Sequence, residues 1–280
     1  MNKQKVLITG SNGMLGSMLK QTLESSYEVI AFNHNDLDIT KEEDIKYQLI
    51  KMKPNILINC AAYTFVDKAE SEIQLSNLIN GYAPGFLAKY CKQLDIKFIH
   101  ISTDYVFGDN NINGHSEEDH PGEDQLNQYA RSKRLGEIET LKNNSKAYIV
   151  RISWSFGPQG KNFIDTMLTL AQTKTELSIV SNEFGKPSYT KDIAEHIRYI
   201  IKNETLSPGY YHSVNEGVCT RYEEAKTVFT LINKAIKLNK INLIDYPRPA
   251  KIANYSILVN TKLPKLQNWD LAIKEYLSSK

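Results

Sequence analysis

The sequence predicts an α/β protein: a doubly wound parallel sheet from the first half, and a smaller α/β lobe from the C-terminal half. Three observations predict this. Strand-like apolar runs alternate with helical spacings from residue 5 to about residue 152. The third run, Ile56–Ala62, is apolar almost throughout, as a strand covered on both faces should be. Beyond Trp154 the alternation dissolves into shorter elements. Alternation of this kind implies right-handed crossovers between parallel strands.

The first run, Lys5-Val6-Leu7-Ile8-Thr9, leads straight into glycines at 10, 13 and 16. Met14, Leu15, Met18, Leu19 and Leu23 then fall at helical spacing. Strand, glycine turn and helix in this order form the opening of a nucleotide-binding βαβ unit. The turn lets backbone approach a pyrophosphate, and the first helical N–H groups face it. Glu28–Phe32 is the second strand. Thr40, with Glu43 three residues on, is the expected cap of a helix reaching Met52. A long helical region is expected from Val66 to Leu94, interrupted near Gly81–Gly85. Lys97–Ser102 is the fourth strand, and Gly108–Gln125 reads as a loop long enough to serve as a lid. A helix over 127–141 and a fifth strand over 147–152 follow. The C-terminal half offers helices over 162–172, 190–202 and 222–238, strands over 177–180 and 210–214, and a last helix from Trp269. The expected division is 1–153 for the nucleotide-binding domain, with 154–280 mainly in the lobe and some segments returning to the sheet.

At 280 residues, 41% hydrophobic and 24% charged, with net charge +2, the chain has an ordinary globular composition. This balance gives no reason to expect nucleic acid or a membrane as partner. Cys60, Cys91 and Cys219 are too few and too scattered for a disulfide framework or a zinc site, and no metal is expected. Reduced thiols and the absence of a signal-like start point to a cytoplasmic protein.

Tyr129 and Lys133 stand at i and i+4 of the expected helix, so their side chains share a face. A tyrosine titrates near pH 10, and Lys133, together with the positive charge of an oxidised nicotinamide, is expected to favour the phenolate and lower the Tyr129 pKa. Tyr129 could then pass a proton to a carbonyl oxygen as hydride reaches carbon. Ser102-Thr103-Asp104-Tyr105-Val106-Phe107 ends the fourth strand, where open α/β sheets bind ligands. Thr103 could donate to the carbonyl, and Asp104 or Tyr105 could hold a sugar hydroxyl.

Six segments carry a specific resemblance: Gly10–Gly16, Asn59–Glu70, Ser102–Phe107, Tyr129–Lys133, Arg151–Trp154 and Gly160–Phe163. With them the chain resembles the dTDP-4-dehydrorhamnose reductase family of extended short-chain dehydrogenase/reductases. The resemblance implies a Rossmann-type domain with a substrate-binding lobe, and NADPH or NADH as cofactor. It implies reduction of the C4 keto group of a dTDP-linked 6-deoxy-hexulose for cell-surface polysaccharide synthesis. By it, Tyr129 is the proton donor, Lys133 orients the nicotinamide ribose and Thr103 polarises the carbonyl. Gly10, Asn12, Gly13, Met14 and Leu15 fall at the pyrophosphate, and Asp38 and Ile39 near the adenine. Ala61, Ala62, Tyr63 and Thr64 line the cofactor groove; Asn80 is either a cofactor-side asparagine or a buried structural amide. Val66, Asp104, Tyr105 and Trp154 would meet the substrate. A homodimer is open.

Two departures stand out. Asn33 ends the second strand where many relatives carry an acid that rejects a 2′-phosphate, so NADPH is expected to work at least as well as NADH. An Arg-Pro that relatives place just before Ser-x-Leu is Ile252-Ala253 here, while Arg248-Pro249 stands four residues earlier. Among Arg198, Arg221 and Arg248, the last is the expected donor to the substrate diphosphate, since its fork of N–H groups suits phosphate. An epimerase or dehydratase on the same scaffold, or a non-catalytic NADP-binding regulatory subunit, are the alternative functions.

Overall fold

A computed structural model describes residues 3–108, 110–122 and 125–280. Six parallel strands form its central sheet: β1 (Lys5–Thr9), β2 (Glu28–Phe32), β3 (Ile56–Asn59), β4 (Lys97–Thr103), β5 (Tyr148–Ile152) and β6 (Gly209–His212). Their order is β6-β5-β4-β3-β1-β2. Adjacent side chains on a strand point to opposite faces. Val6 and Ile8 therefore join Ile58, Ile99 and Val150 under α1 (Met14–Leu23), while Leu7 joins Leu57 and Phe98 on the other face. That second face is covered by α2 (Glu42–Met52) and α3 (Ala83–Gln93), through Ile45, Leu49, Leu87 and Cys91. The helix α4 (Gln128–Asn143) packs against α3.

The helix α5 (Phe163–Leu170) belongs to the smaller lobe. The chain then comes back to the sheet. The helix α6 (Thr190–Lys202) lays Ile193, Ile197 and Ile200 beside α1, and β6 pairs with β5 from Gly209↔Tyr148 to His212↔Arg151. The smaller lobe closes around Phe156, Ile164, Tyr189, Val228, Phe229 and Tyr276, with α7 (Arg221–Leu231) and α8 (Trp269–Ser278).

Four local expectations are corrected. The helix expected to reach 238 stops at Leu231; Asn233 adopts φ 52° and turns the chain, and Lys237–Ile241 is a strand parallel to Glu176–Val180. Thr40 does not cap α2: its hydroxyl donates to Asp38 Oδ1 at 2.7 Å, and Lys41 occupies the capping position. The helical region after residue 66 breaks at Glu70–Glu72, not at its glycines. Gly81 sits in a widened π turn, Leu78–Tyr82, that continues directly into α3. The expected lid falls partly on residues 109, 123 and 124, which lie outside the described residues. The described part is pinned down: His115 N donates to Ile257 O at 2.8 Å, and buried Glu117 accepts from Thr261 Oγ1 at 2.7 Å and His212 N at 3.1 Å.

Beneath the carboxyl ends of β4 and β5 lies a buried ionic cluster. Arg151 is fully buried and forms a two-pronged pair with Glu137 of α4, at 2.8 and 2.9 Å. Ser102 donates to Glu137 at 2.7 Å, and the Arg151 guanidinium lies 4.2 Å from the Tyr210 ring centre. One cluster therefore ties together β4, α4, β5 and β6.

Candidate active site

A groove of about 310 Å³ opens at the carboxyl ends of β1, β3, β4 and β5. A larger hollow, about 1030 Å³, lies at the opposite end of the sheet around Lys53, Asn55, Lys97 and Tyr148. It is remote from every group placed for acid–base chemistry, whereas the smaller groove collects them.

The floor of the groove is the glycine turn. Gly10 holds φ 66°, and a β-carbon there would come within 2.6 Å of Ala61 N, so the turn can nestle against the exit of β3 only as glycine. The helix α1 begins at Met14 with no side chain capping it. Its first N–H groups are therefore available to an anion. This fits a dinucleotide's pyrophosphate. Gly13, Met14 and Leu15 line the groove, while Asn12 is exposed in the turn.

The wall is β4 and α4. Asn127 caps α4, accepting from Ala130 N at 2.8 Å, while its Nδ2 donates to Lys251 O at 2.7 Å. One residue into the helix Tyr129 reaches the groove, and one turn later so does Lys133. Thr103, the last residue of β4, hydrogen-bonds Tyr129 and donates to Asp104 Oδ1 at 2.9 Å. Ser153 Oγ donates to Asp104 Oδ2 at 2.9 Å. Tyr105 crosses Tyr129 edge to face at 5.8 Å.

The electrostatics correct one expectation. Lys133 does not lower the Tyr129 pKa in this structure. Burial pushes the phenol up to about 12, the Asp104 charge adds to that, and the Thr103 hydrogen bond opposes it. The Lys133 ammonium instead donates to Ile101 O at 2.7 Å, and burial brings its pKa down to about 8. Burial likewise raises Asp104 to about 7 against the hydrogen bonds from Thr103 and Ser153.

Other expected residues divide. Ala62, Thr64, Val66 and Trp154 line the groove. Ala61 lies just behind it, its N–H donating to Asn59 Oδ1 at 3.2 Å. Tyr63 turns away and donates to Glu72 at 2.6 Å. Asn80 is buried with its amide fully used: it accepts from Tyr63 N at 2.8 Å and donates to Tyr63 O at 2.9 Å and Ser132 Oγ at 3.0 Å. It locks the exit of β3 to α4 and does not reach the groove lining. Ile39 is in the core beside α2, and Asp38 is occupied with Thr40, both outside the groove lining. Arg248 pairs with Asp67 at 3.0 Å and is not in the lining either; Arg221 is.

Sequence reasoning passed over Ser153, Glu137 and the position of Arg221. Glu137 had a signal, since it stands four residues after Lys133 and so one turn along the same face. Ser153 and Arg221 gain their neighbours only through tertiary packing.

The family model described as RmlD substrate binding domain matches residues 4–280. The chain belongs to the dTDP-4-dehydrorhamnose reductase family. It is 33% identical to a dTDP-4-dehydrorhamnose reductase of Mycolicibacterium smegmatis, over 99% of this chain and 86% of that one. It is 35% identical to the spore coat polysaccharide biosynthesis protein SpsK of Bacillus subtilis, over 99% and 98%. A crystal structure of a dTDP-4-dehydrorhamnose reductase from Bacillus anthracis in complex with NADP superimposes with TM-score 0.95 at 31% identity, covering both chains completely. Membership in the dTDP-4-dehydrorhamnose reductase family makes the chain an oxidoreductase that uses a nicotinamide cofactor.

Proposed function

We propose that this protein reduces the C4 keto group of a dTDP-linked 6-deoxy-hexulose, giving dTDP-L-rhamnose, with NADPH as the favoured donor. The observation that carries the reading is the junction of Thr103, Tyr129 and Lys133 with the uncapped start of α1 in one groove. Bound NADPH supplies hydride to the C4 carbon. Tyr129 gives its phenolic proton to the C4 oxygen, so hydride and proton together turn ketone into alcohol. Thr103, beside Tyr129, can turn its single O–H from Asp104 Oδ1 to that same oxygen while negative charge develops on it. Lys133 keeps donors beyond the one given to Ile101, and these are available to ribose hydroxyls. Gly10, Gly13, Met14 and Leu15 hold the pyrophosphate in this reading, and Val66, Tyr105 and Trp154 the sugar nucleotide.

A cytoplasmic place suits an enzyme working on a nucleotide-activated sugar; among the described residues no helix is long and apolar enough to cross a membrane. The test mixes the protein with NADPH and a small panel of nucleotide-linked 4-keto sugars and follows the absorbance of the reduced cofactor. Oxidation with the dTDP-linked 6-deoxy-hexulose is expected; no oxidation with any member would end the reading.

A further inference from the structure

Arg221, the first residue of α7, enters the groove from the smaller lobe and shares its lining with Trp154, Tyr105 and Asp104. Its guanidinium carbon lies 3.4 Å from the centre of a Trp154 ring. A planar cation at that distance covers one indole face. A sugar ring cannot stack on that same face; the N–H donors lie in the guanidinium plane and meet a ligand at its edge.

The guanidinium is held from its other edges. Nη1 donates to Glu224 Oε2 at 2.9 Å, and Nε stands 3.5 Å from Glu183 Oε1. The Glu224 side chain is 1% exposed and that of Glu183 10%, so both anchors are fixed by packing. Trp154 is fixed as well: it holds φ 40°, and a β-carbon on Gly185 would come within 2.3 Å of its ring. Two of the five guanidinium N–H donors face these carboxylates; the rest have no side-chain hydrogen-bond partner among the described residues, and the Phe163 ring centre lies 5.0 Å from the guanidinium carbon.

The local charge decides what this site can recognise. One cation faces Glu183 and Glu224, and the Asp104 carboxyl also feels it. The guanidinium is thus shared among three carboxyl groups, with Glu224 at 2.9 Å and Glu183 at 3.5 Å, and its charge is already partnered within the fold. A diphosphate therefore gains little by approaching it. A neutral ring bearing hydroxyls gains directed, charge-assisted hydrogen bonds.

We propose that Arg221, clamped between Trp154, Glu183 and Glu224, is a specificity-determining residue that donates hydrogen bonds to the hydroxyls of the substrate's hexose. This rests on the nucleotide-sugar reading of the groove. The experiment compares the wild type, Arg221→Gln and Arg221→Lys, measuring Kd for dTDP-L-rhamnose, for dTDP as the sugar-free probe and for NADPH. Arg221→Gln is expected to weaken dTDP-L-rhamnose by ~10-fold or more, the scale of a charge-assisted hydrogen bond. Affinities for dTDP and NADPH should stay within about twofold, and Arg221→Lys, charged but without the planar fork, should fall between. An equal loss for dTDP would assign Arg221 to phosphate and overturn the proposal, as would unchanged dTDP-L-rhamnose affinity. If Arg221→Gln does not fold, as its melting and NADPH binding would reveal, the same comparison with Arg221→Lys decides. Turnover of the 4-keto sugar is measured separately on the wild type. A protein that binds dTDP-L-rhamnose more tightly than dTDP yet reduces nothing loses the proposed reaction, and Arg221 is still judged by the affinities.

Discussion

In the proposed reaction the hydroxyl of Tyr129 has one task, to give up a proton, and holding the dinucleotide falls to other groups. Tyr129→Phe should therefore lower kcat by ~10²–10⁴-fold while the NADPH Kd moves little. A variant keeping a third of wild-type turnover would remove Tyr129 from the acid's role. Asp104 offers a test of a different kind. Its carboxyl is buried, and its pKa in the fold, about 7, lies above the ordinary value of 3.8. A group raised in this way contributes its stability below the ordinary value and loses it as pH rises through the folded one. Asp104→Asn keeps the shape and removes the buried charge. It should raise the melting temperature at pH 8 by at least about 2 °C, with a smaller gain or a loss at pH 5. A melting difference independent of pH would show that burial is not what raises this carboxyl.

Among the elements, the glycine turn and α4 were readable in advance because their signals are local. Three glycines between an apolar run and a helical spacing, and a tyrosine four residues before a lysine, need no knowledge of the rest of the chain. The strand at Lys237–Ile241 was not readable as a strand. Lys-Leu-Asn-Lys-Ile is too short and polar to announce itself, and only its partner Glu176–Val180 makes it one. The same holds for Arg221 and Arg248. Sequence shows two arginines in the smaller lobe, and only packing sets one on Trp154 and the other on Asp67. The turn after β2 supports a cofactor prediction. Asn33 Oδ1 accepts from Asn35 N at 2.7 Å, and the Asp36 carboxylate is drawn to Asn33 N at 2.9 Å. With no acid on Asn33 itself, kcat/KM with NADPH should at least equal that with NADH, and Asn33→Asp should shift the ratio towards NADH. A native preference for NADH above about tenfold would mean that another group rejects the 2′-phosphate, since tenfold is ~1.4 kcal/mol.

The molecule as a whole is held at its catalytic edge by the Arg151–Glu137 cluster. Both side chains are fully buried, and removing Arg151 breaks its two-pronged pair and leaves Glu137 only Arg134, at 3.0 Å, as a cationic partner among the described residues. Arg151→Met should destabilise the fold by on the order of 3–5 kcal/mol in denaturant titration, more than an exposed pair such as Lys237–Glu176 would lose. A loss under about 1 kcal/mol would show that Glu137 finds a substitute. The division of the chain was legible only in outline. A break after the fifth strand and a return of some later segment are expected from sequence, but not that 190–212 is the segment, because four residues of Gly209–His212 look like any short strand until they lie beside Tyr148–Arg151.

That return has a consequence for how the protein is made. Until residue 212 has left the ribosome, β5 is an edge strand with an open row of backbone donors and acceptors, and the face of α1 that meets α6 is bare. An open edge beside exposed apolar surface invites pairing with other chains. The nascent first half is therefore committed to a waiting period in which it cannot complete itself. A chain ending at 153 should collect in the insoluble fraction where one ending at 215 is markedly more soluble; equal solubility of the two would mean that the unfinished edge is harmless.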